Sequence, residues 1–174
     1  MSRMKRLLPL LLAILILSAC GGETGEKQAA GSCTVSISCA TILDNRDQLK
    51  AAKADYVPDD GVILPETEVT FYEGESVFDL LQRLCRDNGI PMESSWSPMY
   101  NSAYIEGIAN LYEFDCGKLS GWMYAVNDWF PNYGCSLYQV QDGDVIRWVY
   151  TCDLGADVGG GQATGDGQQE GAST

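Results

Sequence analysis

Histidine is absent from this chain of 174 residues, and acidic residues outnumber basic ones by 24 to 11. Without histidine the chain lacks the commonest general base and the commonest zinc ligand, and its net charge of −13 opposes binding to nucleic acid or anionic lipid headgroups. The length suits one domain with a core of its own. We therefore expect a single domain that is not an enzyme and that needs no metal or cofactor.

The amino terminus has the three parts of an export signal: basic residues, an apolar run over residues 7–17, and small residues before Cys20. That run is shorter than the ~20 apolar residues that span a bilayer as a helix. The stretch Leu17-Ser18-Ala19-Cys20 resembles the bacterial lipobox, which implies cleavage before Cys20 and acylation of the new terminus. We predict a lipoprotein signal peptide at 1–19 and an extracytoplasmic protein held at the cell membrane by acyl chains such as palmitate. An ordinary secretory signal is the alternative.

Six cysteines remain when Cys20 is lipidated, and an even number in an exported domain favours three disulfides. They are Cys33, Cys39, Cys85, Cys116, Cys135 and Cys152. No CxxC pair occurs, which argues against a zinc site. Cys33 and Cys39 lie too far apart along one predicted strand to bond to each other. The sequence leaves the pairing open, although Cys116 and Cys135 flank a predicted hairpin and are the pair we favour.

The domain is predicted to extend over residues 33–154 between two flexible tails. Residues 20–32 and 155–174 are rich in Gly, Ala and polar residues without apolar periodicity. Such composition predicts a flexible tether before the domain and a disordered tail after it.

One helix is predicted with its cap, its buried face and its end. Ser76 is typical of a helix cap, Asp79 follows in the first turn, and Asn88-Gly89 predicts the end. Apolar residues recur between them at helical spacing: Val77, Leu80, Leu81, Leu84 and Cys85.

Strands are predicted on both sides of this helix. In chain order, the sequence predicts a strand at 33–43, a short helix or loop at 44–54, a strand at 68–72, a hairpin around Gly107 within 96–114, a strand at 121–126 that leads into an Asn127-Asp128 turn, and a strand at 145–150. A mixed sheet packed against one main helix in this order is a β-grasp-like α+β arrangement, here braced by disulfides.

The segment from Gly121 to Gly134 contains five aromatic residues in fourteen positions. Together with the Ser76-to-Leu81 and Tyr138-to-Ile146 segments, it resembles the transcobalamin-like C-terminal domain family over about residues 65–152. Similar members of that family are bacterial surface or secreted proteins, and eukaryotic relatives close over cobalamin. The resemblance implies a ligand surface on the residues that match by position, which are Trp122, Tyr124, Asn127, Trp129, Phe130 and Tyr133.

Two interpretations of these aromatic residues stay open. Trp122 and Tyr124 share one face of the predicted strand and are also candidates for the core beneath the helix, whereas Trp129-Phe130 follows a turn, where exposed rings favour a binding surface. Cobalamin carriers hold their ligand against a large helical domain, which this sequence does not predict. The leading hypothesis is a membrane-anchored binding module for a small molecule such as a corrinoid. The alternative is a cell-surface protein-interaction or adhesion module.

Overall fold

The fold combines two β-sheets with one α-helix. The computed structural model describes residues 28–160, so the predicted signal peptide and the predicted lipidation of Cys20 lie outside the described residues. Within residues 28–160, no helix has the length and apolar character that crossing a membrane requires.

The described residues form seven strands, one α-helix and three short 3₁₀ helices. In chain order they are β1 (Ala29–Ser38), two 3₁₀ helices (Ala40–Asn45 and Ala51–Tyr56), β2 (Val62–Tyr72), α1 (Val77–Asp87), β3 (Met92–Ser97), β4 (Ser102–Ile108), β5 (Leu111–Tyr112), β6 (Gly121–Val126), β7 (Val145–Thr151) and a third 3₁₀ helix (Ala156–Val158).

The strands divide between a larger and a smaller sheet. The larger sheet has the order β2-β1-β7-β6, in which β1 and β7 are parallel and the other neighbours are antiparallel. The smaller sheet is antiparallel, with the order β3-β4-β5. The predicted α+β class is confirmed. The prediction of a single mixed sheet is wrong, because the predicted 96–114 hairpin belongs to a separate sheet.

Helix α1 follows the prediction closely. The Ser76 hydroxyl accepts the N–H of Asp79 at 3.1 Å, and the Asp79 carboxylate accepts the N–H of Ser76 at 3.1 Å. This reciprocal cap satisfies two amides that would otherwise lack partners. All five predicted apolar residues of the helix are buried, in one core cluster with Val35 of β1 and Trp148 of β7. The helix ends at the predicted Asn88.

The tail boundaries and the first strand differ from prediction. β1 begins inside the predicted tether, because Ala29 pairs with Tyr72 of β2. β1 also ends before residue 43, because the chain turns at Cys39 into the first 3₁₀ helix. The predicted segment at 44–54 is occupied by the end of that helix and most of the second. Beyond β7, the Asp157 carboxylate accepts the Cys152 N–H at 2.7 Å, so folded structure continues into the predicted tail.

The hairpin predicted around Gly107 turns two residues later. Gly107 lies inside β4, and the chain reverses at Ala109 and Asn110, whose φ angles are 52° and 64°. A Cβ atom on Gly107 would lie 2.6 Å from the Tyr112 ring. Glycine therefore meets a packing requirement at this position and does not form the turn.

The six predicted disulfide cysteines are buried thiols in this structure, so the predicted disulfides are not confirmed. Three belong to the core beneath α1 and three to a second cluster around Ile42 and Tyr150. The favoured pairing of Cys116 with Cys135 is not confirmed either, and these two residues lie in different clusters. Cys116 instead donates its thiol to the Asn45 carbonyl at 3.3 Å and shares its cluster with Cys152.

Candidate functional site

A largely apolar groove lies between β4 of the smaller sheet and β6 of the larger one. It consists of three adjoining cavities of about 320, 110 and 190 Å³. Tyr104 lines all three cavities, Trp122 and Met123 line the first two, and Gly134 lines the second and third. We call these cavities together the aromatic groove. The widest of them has the size of a small-molecule pocket.

The widest cavity has an exposed apolar rim. Phe114 and Leu154 line it, with 54% and 67% of their surface exposed. Their φ angles of 63° and 46° lie in the left-handed region, which large side chains rarely adopt. Backbone hydrogen bonds hold this conformation, from Phe114 N–H to Ser120 and from Leu154 N–H to Leu119, each at 3.0 Å. Backbone strain that presents apolar side chains to solvent is typical of a binding site.

Trp122 forms a rigid wall of the groove. Its indole N–H donates to the Leu111 carbonyl at 2.8 Å. Its ring meets the Tyr150 ring edge-on, with the centroids 5.3 Å apart and the planes at 81°. Tyr150 is fully buried. Because both contacts fix the half-buried indole, a ligand would meet a ring whose orientation is already set.

Tyr104 and Glu113 supply the polar group beside this apolar wall. The Tyr104 hydroxyl donates to the Glu113 carboxylate, and both residues line the widest cavity. Burial, and then this hydrogen bond, raises the pKa of Tyr104 above its ordinary value. The phenol therefore stays protonated at neutral pH, and the carboxylate keeps acceptor capacity for a donor on a ligand.

The narrow end of the groove depends on close contact between β4 and the loop after β6. Tyr124 is buried and donates its hydroxyl to the Tyr133 carbonyl at 2.9 Å, which holds that loop against the sheet. The Ser136 hydroxyl accepts the Ala103 N–H at 3.0 Å from the other side. Burial raises the pKa of Tyr124 and of Tyr133. Both rings therefore act as neutral surfaces at physiological pH.

Residues 74–152 match the family model described as domain of unknown function (DUF4430). The match covers most of the region in which the sequence resembles the transcobalamin-like family. No curated protein matches this chain.

Two solved structures show partial similarity. One is a crystal structure of a "putative metal binding protein" from Ruminococcus gnavus ATCC 29149, with 16% sequence identity and a TM-score of 0.41, covering 70% of this chain and 96% of that one. The other is haptocorrin in complex with Cbi, with 16% identity and a TM-score of 0.46, covering 78% of this chain and 29% of that one. This chain therefore spans less than a third of the haptocorrin chain.

The DUF4430 segment contains all six predicted ligand residues, but only three line the groove. Trp122, Tyr124 and Tyr133 do so. Asn127 instead closes the turn after β6, where its amide donates to Asp144 and accepts the Val145 N–H, both at 2.9 Å. Its side chain is thus occupied by the turn and does not line the three cavities.

The predicted loop aromatics lie beside the groove. Trp129 closes the two-residue turn through its backbone and packs edge-on against Tyr133, with the ring centroids 5.9 Å apart. Phe130 contacts the end of the described chain, because a Cβ atom on Gly160 would lie 2.9 Å from its ring. Neither side chain lines the three cavities of the groove.

Several groove residues were absent from the predicted site, among them Tyr104, Phe114, Met123 and Leu154. Tyr104 carries a detectable signal, since it is an exposed aromatic residue on a strand that is otherwise mostly buried. Phe114 and Leu154 carry none, because their left-handed backbone cannot be read from a phenylalanine or a leucine. Within residues 28–160, no group of three or more Cys, Asp or Glu residues is arranged to hold a metal ion.

Proposed function

We propose that this protein is a membrane-anchored, extracytoplasmic binding module that holds a small, largely apolar molecule in the aromatic groove without transforming it. The observation that carries the proposal is the groove between β4 and β6. Its Trp122 wall is fixed by two contacts, and its Phe114 and Leu154 rim is exposed and strained. Exposed apolar side chains gain free energy when a ligand covers them and removes their surface from water.

The ligand class we propose is a flat molecule with polar substituents at its edge, such as a corrinoid. A flat apolar face matches the indole of Trp122 and the thioether of Met123. Amide groups at the edge of such a molecule can donate to the Glu113 carboxylate, which lies at the same cavity. The groove covers only one side of a molecule of this size. We therefore expect moderate affinity unless a second protein closes over the ligand.

The location and the finer fold belong to the same proposal. The anchor is supported by the lipobox-like stretch that ends at Cys20. The β-grasp-like interpretation of the larger sheet is supported by parallel β1 and β7 flanked by β2 and β6, with α1 covering one face. The three predicted disulfides remain a prediction for the exported protein.

Calorimetric titration with cobinamide and with cobalamin tests the proposed function. We expect dissociation constants in the micromolar range. Tyr104→Ala should weaken binding at least about tenfold, which corresponds to about 1.4 kcal/mol. Tyr56→Ala is the matched control, since Tyr56 is 45% exposed and lies on the second 3₁₀ helix, outside the groove.

Two results would contradict the proposal. If neither ligand produces binding heat up to about 1 mM, a corrinoid is excluded as the ligand, because a dissociation constant of that size corresponds to only about 4 kcal/mol of binding free energy. Equal affinity of wild type and Tyr104→Ala places the ligand outside the groove. A protein-interaction module, the alternative function, predicts no small-molecule heat and capture of an envelope protein that depends on groove residues.

A further inference from the structure

A second apolar surface continues from the narrow end of the groove, at the tip of the hairpin formed by β3 and β4, and shares Tyr100 with the third cavity. Trp96, Met99 and Tyr100 are exposed there by 58%, 84% and 67%. We call these three residues the hairpin tip. Three large apolar side chains so close together in the chain and so exposed are unusual on a soluble surface without a partner.

The chain segments at and beside the hairpin tip carry no charged side chain of their own, although Glu113 and Asp144 contact them through Tyr104 and Tyr138. Residues 94–105 and residues 129–141 contain no acidic or basic side chain, although the chain carries 24 acidic residues. The two segments are joined by the Ser102 and Ser136 hydroxyls, whose oxygens are 2.7 Å apart. They therefore form one uncharged region on an otherwise acidic protein.

The uncharged region lies at the end of the molecule where the chain enters the fold. Ala29, the first residue of β1, pairs with Tyr72 at the end of β2, and α1 starts shortly afterwards. The Phe78 N–H at the start of α1 donates to the Cys135 carbonyl at 3.2 Å, next to Ser136. The entry of β1, the start of α1 and the hairpin tip thus share one end of the molecule.

We infer that the hairpin tip inserts into the headgroup region of a zwitterionic lipid bilayer. The inference rests on the proposed anchor at Cys20, which precedes Ala29 by nine residues. Nine residues span at most about 30 Å, so an acylated Cys20 keeps the entry end of the domain beside the membrane. Trp and Tyr favour the membrane interface, and a hairpin tip without carboxylates avoids both repulsion by lipid phosphates and desolvation. The exposed carboxylates of Glu73 and Asp142 beside the entry of β1 stay in water in this arrangement.

Full-length protein purified from bacterial membranes and reconstituted into vesicles of dibrominated phosphatidylcholine tests this inference. Bromine in the acyl chains quenches only nearby indoles. We expect emission to fall relative to unbrominated vesicles, and Trp96→Phe should remove most of that difference. Adding Tyr100→Trp to Trp96→Phe should restore it.

Tyr56 provides the matched control at the other end of the molecule. It precedes β2, whose first residue, Val62, pairs with Ser38 at the end of β1. Tyr56 is exposed by 45%. A tryptophan placed there, as Tyr56→Trp in the Trp96→Phe background, should show no lipid quenching.

The outcomes separate the inference from the proposed function. Mass spectrometry first measures acylation at Cys20, and an unacylated protein overturns both the anchor and the inference. Acylated protein whose Trp96 is not quenched overturns the inference and leaves ligand binding in the groove intact. Equal quenching of Trp96 and of the Tyr56→Trp reporter also overturns it, because that result means adsorption without orientation. If the hairpin tip crosslinks to an envelope protein and shows no lipid quenching, the tip docks on protein and the inference is overturned.

Discussion

Replacement of Gly134 by alanine should force apart the loop and the strand that form the narrow end of the groove. A Cβ atom at this position would lie 1.9 Å from the Ser102 hydroxyl oxygen and 2.3 Å from the Ser102 Cβ. Carbon atoms in ordinary contact are about 3.5 Å apart, so the loop must move by about 1.5 Å. Ser102 is 1% exposed and cannot turn away into solvent.

The expected loss of stability follows from this displacement. The movement stretches two hydrogen bonds of the Ser136 hydroxyl, one of 2.7 Å with the Ser102 hydroxyl and one of 3.0 Å that it accepts from the Ala103 N–H. Two such bonds contribute about 1 kcal/mol each, and overpacking of a buried site costs about 1–3 kcal/mol. We therefore expect Gly134→Ala to lower the free energy of unfolding by about 2–4 kcal/mol and to weaken ligand binding in the groove.

Urea unfolding followed by tryptophan emission measures this effect. The midpoint should fall while the slope stays the same. Gly143→Ala is the matched control: nothing lies within 4 Å of its Cβ position, and its φ of 82° predicts only about 1 kcal/mol of backbone strain. Ser102→Gly added to Gly134→Ala should restore much of the loss. A loss no larger than that of Gly143→Ala, or no rescue by Ser102→Gly, would refute the steric argument.

Three further predictions concern the fold around the groove. Ser76→Ala removes the helix cap and should lower the unfolding free energy by about 1–2 kcal/mol, measured by urea denaturation. Asp115→Asn removes a buried carboxylate that binds Lys53 at 3.2 Å. The substitution should lower the free energy of unfolding by about 2–4 kcal/mol at pH 7. The difference in urea midpoint between wild type and variant should become smaller when unfolding is measured below pH 4. Oxidised glutathione should oxidise Cys116 and Cys152 to a disulfide, while the glutathione disulfide is reduced to two thiols. Non-reducing peptide mapping should detect the Cys116–Cys152 disulfide.

The pH dependence of Asp115 follows from the sign of its shift. Burial alone would raise its pKa, but hydrogen bonds from the Tyr112 N–H, Lys50 and Lys53 outweigh burial and hold the pKa below the ordinary value of 3.8. The carboxylate therefore stabilises the fold above that value, and its contribution is lost as the pH falls through the lower folded value. Asp87→Asn, at an exposed pair with Arg86, should change stability by less than about 0.5 kcal/mol. A difference between wild type and Asp115→Asn that persists at pH 2 would contradict this assignment.

The other two predictions have controls of their own. The control for Ser76→Ala is Ser95→Ala, which changes an exposed serine on β3 and should leave the urea midpoint unchanged. An equal fall of the urea midpoint in both variants would disprove the capping role of Ser76. The Cys116–Cys152 bond should form faster as the pH rises, because burial raises the pKa of Cys152 to about 12 and only a thiolate attacks a disulfide. A peptide map that shows Cys116 bonded to Cys135 in place of Cys152 would contradict this prediction.

Local signals made α1 predictable and the turns near β4 unpredictable. The cap at Ser76, the apolar spacing and the stop at Asn88 all act within a few residues, so sequence order carries them. The reversal at Ala109 and Asn110 depends on two left-handed residues, one of which is an alanine, and Gly107 is required by the Tyr112 ring. A glycine in the sequence therefore does not by itself distinguish a turn from a close packing contact.

The candidate site was partly predictable for a related reason. Trp122 and Tyr124 were identified because the family resemblance selects them by position, whereas strand periodicity alone made them candidates for the core. Phe114 reaches the groove from the loop before β6 and Leu154 from the segment after β7, held there by hydrogen bonds to Ser120 and Leu119. These contacts join residues that no periodic pattern connects, so only the tertiary structure reveals them.

Trp122 belongs both to the core and to the surface of the groove. One part of the indole packs on Tyr150 and donates to Leu111, as a core residue does, while the remainder lines the first and second cavities of the groove. Tyr124 is nearer the core alternative, being 8% exposed, yet its hydroxyl positions the loop that closes the narrow end. A binding wall built from partly buried side chains loses little conformational entropy when a ligand arrives, because the folding of the domain has already fixed the rings. Mutating the core side of this wall should therefore weaken ligand binding even where the ligand never touches the altered residue.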